Sequence, residues 1–149
     1  MTTKSSGFSL IELIVVVAII GILSAVGTLF YSSYTGSAKL TSAKNSMQQI
    51  GLGQIEYLSS YGSYYYTEDS GADCEPDNED GNGESSIAIE DKLFSGGDII
   101  TSATGYDMCI QASASGSGYL IKASNGTSKG SRNVTLDYTG TWTEEEITD

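Results

Sequence analysis

Histidine is absent from this chain, and proline and tryptophan occur once each. Without histidine the commonest general base and the commonest transition-metal ligand are both missing. Basic residues are scarce too: 7 lysines and arginines face 19 aspartates and glutamates, a net charge of −12. Such a surface repels phosphate backbones, so direct nucleic-acid binding is not expected. It also keeps a protein soluble and resists clumping, with screening by salt. No Gly-x-Ser-x-Gly elbow, phosphate-binding loop or Cys-x-x-Cys pair is present. Paired carboxylates stand only in loop-like stretches, where the burial that raises a pKa is lacking. No enzyme, no cofactor and no metal site is expected.

Charge is also missing from one long stretch. From Leu13 to Phe30 every residue is Leu, Ile, Val, Ala, Gly or Phe, apart from Ser24 and Thr28. Those 18 residues reach the lower end of what a helix needs to cross a bilayer core of about 30 Å. Glu12 stands immediately before them. A charge well inside a membrane costs about 2.5–3.5 kcal/mol on insertion scales, so a carboxylate here points to function. The plainer alternative is a charge that snorkels to the headgroups from a helix end.

The string Gly-Phe-Ser-Leu-Ile-Glu-Leu-Ile-Val-Val-Val-Ala-Ile-Ile-Gly-Ile-Leu at 7–23 strongly resembles the amino-terminal signature of type IV pilins and type II secretion pseudopilins. That signature is a short polar leader ending in glycine, an aromatic residue, a Thr/Ser-Leu-Ile-Glu run and a hydrophobic helix. The resemblance covers residues 1–34 closely; beyond them it is one of architecture. It implies that a prepilin peptidase cuts between Gly7 and Phe8 and methylates the new amino group of Phe8. It further implies that Glu12 meets the amino terminus of a neighbouring subunit during assembly. Physics agrees: an ammonium and a carboxylate about 4 Å apart attract by about 4 kcal/mol at an effective dielectric of 20. One departure stands out, for many pilins carry a proline where this chain has Leu29. The local weakness here comes from Gly21 and Gly27, since glycine costs about 1 kcal/mol against alanine inside a helix.

With that signature, residues 1–7 read as a leader to be cleaved, with Lys4 retained on the cytoplasmic side. No small-x-small cleavage pattern follows the apolar block, although Ser24 and Ala25 come nearest, so the helix is expected to stay in the mature protein. Removing the leader takes away Lys4 and moves the net charge from −12 to about −13. Residues 8–30 form the membrane or filament-core helix, and 31–149 a globular head that includes the amphipathic rest of that helix. Cys74 and Cys109 are the only cysteines. An even count in an exported protein suggests a disulfide. Closing a loop of that size contributes about 3–4 kcal/mol in the chain-entropy model. Two buried free thiols are the other reading.

Downstream, Leu40, Ala43, Met47, Ile50, Tyr57, Leu58 and Tyr61 recur mostly by threes and fours, with polar Gln54 breaking the run. One helix from Phe8 to about Ser60 would be about 80 Å long. Gly51 and Gly53 weaken it. Residues 61–86 lose all period: four tyrosines (Tyr61, Tyr64, Tyr65, Tyr66) precede an acidic run through Asp69, Asp73, Asp77, Glu79 and Asp80. The tyrosines read as packing over the helix end. The acidic run fails EF-hand spacing, because Pro76 falls where the first aspartate belongs and Ile87 where the closing glutamate belongs, so a solvated loop is favoured over calcium. Residues 87–94 are ambiguous. Three strands are expected, at 106–112, 118–123 and 133–142, with Val134, Leu136 and Tyr138 on one face. The tail Glu144–Asp149 reads as loose. Asn125-Gly-Thr127 and Asn133-Val-Thr135 fit a glycan sequon only weakly.

The expected fold is therefore α+β: a long amino-terminal helix packed on a small antiparallel sheet. The expected role is a structural subunit of a type IV pilus, a homopolymer built from the inner membrane by the pilus assembly machinery and displayed outside the cell. Adhesion, twitching motility and DNA uptake are the roles the resemblance permits. A minor pilin, a type II secretion pseudopilin and a membrane-anchored binding module that never polymerises are the alternatives.

Overall fold

The computed structural model describes residues 7–68, 71, 73–76, 83–100 and 104–148. Helix α1 spans Leu10–Tyr61 and helix α2 spans Glu84–Phe94. Four strands follow: β1 Asp107–Ala112, β2 Tyr119–Ser124, β3 Arg132–Asp137 and β4 Trp142–Glu146. The fold is α+β. The chain divides into two units, Met1–Ser37 and Ala38–Asp149.

The described part of the first unit is the start of α1. Its window Leu10–Gly27 is helical throughout and none of it is buried. With apolar side chains all round, it has no polar face to turn to water. Gly21 and Gly27, the expected weak points, do not interrupt the helix.

The second unit holds the core. Ala43, Met47, Ile50 and Gln54 of α1, spaced by fours and threes, are fully buried. The three apolar ones belong to a cluster that continues through Ile89 of α2 and the inward residues Met108, Ile110, Ile121, Val134 and Leu136. The sheet is an antiparallel meander in the order β1-β2-β3-β4. Gly51 and Gly53 weaken the helix locally but allow close packing. A Cβ at Gly51 would sit 3.2 Å from Tyr119 Oη, and one at Gly53 only 3.1 Å from Phe94 Cζ.

Several expectations change. The stretch 133–142 is two strands, because Asp137 closes a tight turn; its carboxylate accepts hydrogen bonds from Thr139 N, Thr139 Oγ1 and Thr141 N. Tyr138 lies in that turn, beyond the strand, and is exposed. Glu144, Glu145 and Glu146 are ordered in β4, with Glu144 opposite Val134 and Glu146 opposite Arg132. Lys44 of α1 pairs with Glu144 and lies over the Trp142 ring, which holds β4 against the helix. The ambiguous stretch 87–94 is helical and its helix starts earlier, at Glu84. It is anchored by buried Asp107, whose Oδ1 accepts from Gly83 N at 2.7 Å and Ser86 Oγ at 3.0 Å. A carboxylate is favourable at that end of a helix, where backbone N–H groups converge.

The two edges of the sheet differ. On β1, Met108 N donates to Ser86 Oγ, while Ile110 N donates to Thr67 Oγ1 and Ile110 O accepts from Thr67 N. Those contacts occupy groups that would otherwise invite another strand. At the opposite edge β4 carries three consecutive glutamates, a charge pattern that discourages edge-to-edge pairing.

Candidate assembly site

The amino-terminal site is built by the first turn of α1. Ser9 is the residue before the helix, and its carbonyl accepts the first intrahelical bond, from Leu13 N at 3.3 Å. Glu12 lies three residues on, and its Oε2 accepts a hydrogen bond from Ser9 N at 2.9 Å. This reach back from the third helical residue to the cap is half of a capping box and satisfies one of the helix's orphan donors. The Ser-x-x-Glu spacing that signals it is legible in the sequence, where the roles expected of Glu12 are pairing between subunits or snorkelling to the headgroups. Phe8 and Gly7, the expected processing pair, lie just ahead of the helix and are exposed. Residues 1–6 of the expected leader, Lys4 among them, lie outside the described residues.

The structure joins Cys74 to Cys109, with Sγ atoms 2.08 Å apart and Cα atoms 6.2 Å apart. The bridge pins residues 73–76 to β1. Beside it Lys122 donates to Asp73 Oδ1 at 2.5 Å and to the Cys74 carbonyl at 2.9 Å. The hydrogen bond from Lys122, and then its charge, hold the Asp73 carboxyl below the usual carboxylate range. Asp69, Asp77, Glu79 and Asp80, on which a calcium reading would depend, lie outside the described residues. Among the described residues no group of three or more acidic or cysteine side chains converges on a metal position.

Residues 2–28 match the prokaryotic N-terminal methylation motif. This segment is similar to the amino-terminal segments of type IV pilins. Among curated proteins, the chain is similar to the type IV major pilin protein PilE1 of Neisseria gonorrhoeae, 49% identical over 43 residues, which are 29% of this chain and 26% of that one. It is equally similar to a fimbrial protein of Neisseria meningitidis serogroup B, again 49% over 43 residues, 29% of this chain and 25% of the relative. The likeness thus spans about a quarter of the length of these pilins. No solved structure matches the chain. The sheet, the disulfide and helix α2 lie outside the methylation motif at 2–28.

Proposed function

We propose that the chain is a structural subunit of a type IV pilus filament, held in the inner membrane until a neighbour takes it into the growing polymer. The observation that carries this reading is the helix Leu10–Gly27, apolar on every side and buried nowhere, with Glu12 in its first turn. Such a segment needs a bilayer or other copies of itself around it. Lipid tails are as apolar as leucine, so transfer from bilayer to filament core changes hydrophobic energy little and an assembly motor can drive it. Glu12 then supplies what lipid does not, a charge that must be paired. In this reading a prepilin peptidase removes residues 1–7, cutting between Gly7 and Phe8, and Phe8 becomes the methylated terminus. Residues 8–30 form the membrane and filament-core helix. Residues 31–149 form the head displayed on the extracellular filament, a scaffold and not an enzyme.

Intact mass and terminal sequencing of the protein recovered from sheared surface filaments test this. The expected product begins at methylated Phe8. A product retaining Met1–Gly7, or one beginning near Ala25, would overturn the reading.

A further inference from the structure

One surface of the unit Ala38–Asp149 presents large apolar side chains to solvent. Leu52 and Ile55, three apart on α1, are 68% and 59% exposed. Beside them lies a groove of about 440 Å³, walled by Tyr138 and Trp142 and floored in part by Tyr119 and Leu136. Large apolar side chains gathered in one exposed patch mark an interaction site, and aromatic walls are the usual anchors of such sites. The groove is preformed: the Tyr138 ring lies so close over Gly118 that a Cβ there would be 2.4 Å from it. A wall fixed in advance costs little entropy when something binds.

The groove is also electrically quiet. Among the described residues, Asp137 is its only charged side chain, and the turn already takes that carboxylate through Thr139 and Thr141. On a chain of net charge −12, a second copy is tolerated best where neither surface adds charge. The chain offers a matching uncharged element, for no charged residue occurs from Leu13 to Ala38. Just past the window Leu10–Gly27, Tyr31 and Tyr34 stand three apart on the helix and are 70% and 74% exposed. Helical anchors at that spacing are what an apolar groove receives from a neighbouring helix. Gln48 and Thr139 at the rim suit the phenol hydroxyls, which need partners once their rings are covered.

We propose that this groove receives Tyr31 and Tyr34 of a second copy of the chain. The inference rests on the filament reading and deepens it by naming the contact between subunits. The patch falls well short of the roughly 800 Å² per partner of a stable pairwise interface. It therefore acts by repetition in a polymer, where each subunit is held at several places at once, and it does not hold two isolated chains together.

A photoreactive benzophenone amino acid at position 48, on the rim, tests this in the full chain expressed in cells that make the filament. Irradiated filaments are expected to yield chain dimers whose joined peptide contains Tyr31 or Tyr34. Joining to any other part of a second copy, or to a different protein, overturns the proposal. Ile55→Glu is expected to cut recovered filament about tenfold or more, with the membrane pool and the Cys74–Cys109 bridge unchanged. Wild-type filament yield from that variant overturns the proposal as well. If the unaltered chain forms no filament, the polymer reading falls and takes the groove contact with it. If filaments form but join elsewhere, the groove contact alone is lost.

Discussion

Gln54 and Tyr65 are joined by a pair of hydrogen bonds that imitates two paired strands. Gln54 Nε2 donates to the Tyr65 carbonyl at 2.7 Å, and Tyr65 N donates to Gln54 Oε1 at 2.9 Å. Gln54 is fully buried, so water does not replace it. Gln54→Leu keeps the volume but strands both backbone groups of Tyr65. The expected loss is about 1–3 kcal/mol for each group left unsatisfied, read as a lower urea midpoint. An unchanged midpoint would mean that the segment after α1 is held by something else.

At the other end of α1, Glu12 caps its own helix by accepting from Ser9 N. Glu12→Gln keeps an acceptor for Ser9 N but removes the charge; Glu12→Ala removes both. Loss of the cap is expected to cost about 0.5–2 kcal/mol of helix stability in the alanine variant alone, seen by circular dichroism in a membrane mimic. Filament assembly is expected to fail in both variants. Full assembly by Glu12→Gln would show that capping, and not charge pairing, is what Glu12 provides.

The disulfide closes a loop with a sequence separation of 35. Cys74→Ser with Cys109→Ser is expected to cost about 3–4 kcal/mol, measured as a fall in unfolding temperature. A reductant should destabilise the wild type and leave the double variant unmoved.

Acid should loosen two loops. Hydrogen bonds from Thr139 and Thr141 hold the Asp137 carboxyl below the usual range, as Lys122 does for Asp73. Because folding depresses both pKa values, their stabilising contribution is present above the unfolded carboxylate pKa. It is lost as pH falls through the folded values. Both groups lie at the surface, so the effect is modest and salt-sensitive. Asp137→Ala should flatten the acid limb of an unfolding titration, and unchanged acid sensitivity would rule this contribution out.

Two glycines should respond oppositely to alanine. At Gly36 nothing lies within 4 Å of the new methyl group, so helix propensity should raise stability by up to about 1 kcal/mol. At Gly53 the methyl group meets Phe94 and Leu93 Cβ at 3.1 and 3.3 Å, and stability should fall despite the same propensity gain. Parallel thermal melts distinguish the two; a gain at Gly53 would mean that α2 moves away at little cost.

Local order carried much of this molecule. A run of apolar residues, a serine three places before a glutamate, and heptad-like spacing at Ala43, Met47 and Ile50 act over one or two helical turns and need no distant partner. Two of the strands were legible for the same reason, their alternation lying between glycine and serine turns. Gln54 looked like an interruption because its partner, Tyr65, lies across a chain reversal. Glu144–Glu146 looked loose because acidic residues in a row have no strand preference of their own.

The sequence by itself determined the exposed apolar helix, the position of Glu12 at its head and the pool of negative charge, since each depends only on which residues are neighbours along the chain. Only the tertiary structure decided that β4 is an ordered edge, that α2 starts at Glu84, and that Leu52, Ile55, Tyr138 and Trp142 share one groove. Those outcomes depend on contacts between distant residues, such as Lys44 with Glu144, 100 positions apart. Such contacts exist only after the chain has closed its loops and buried its core.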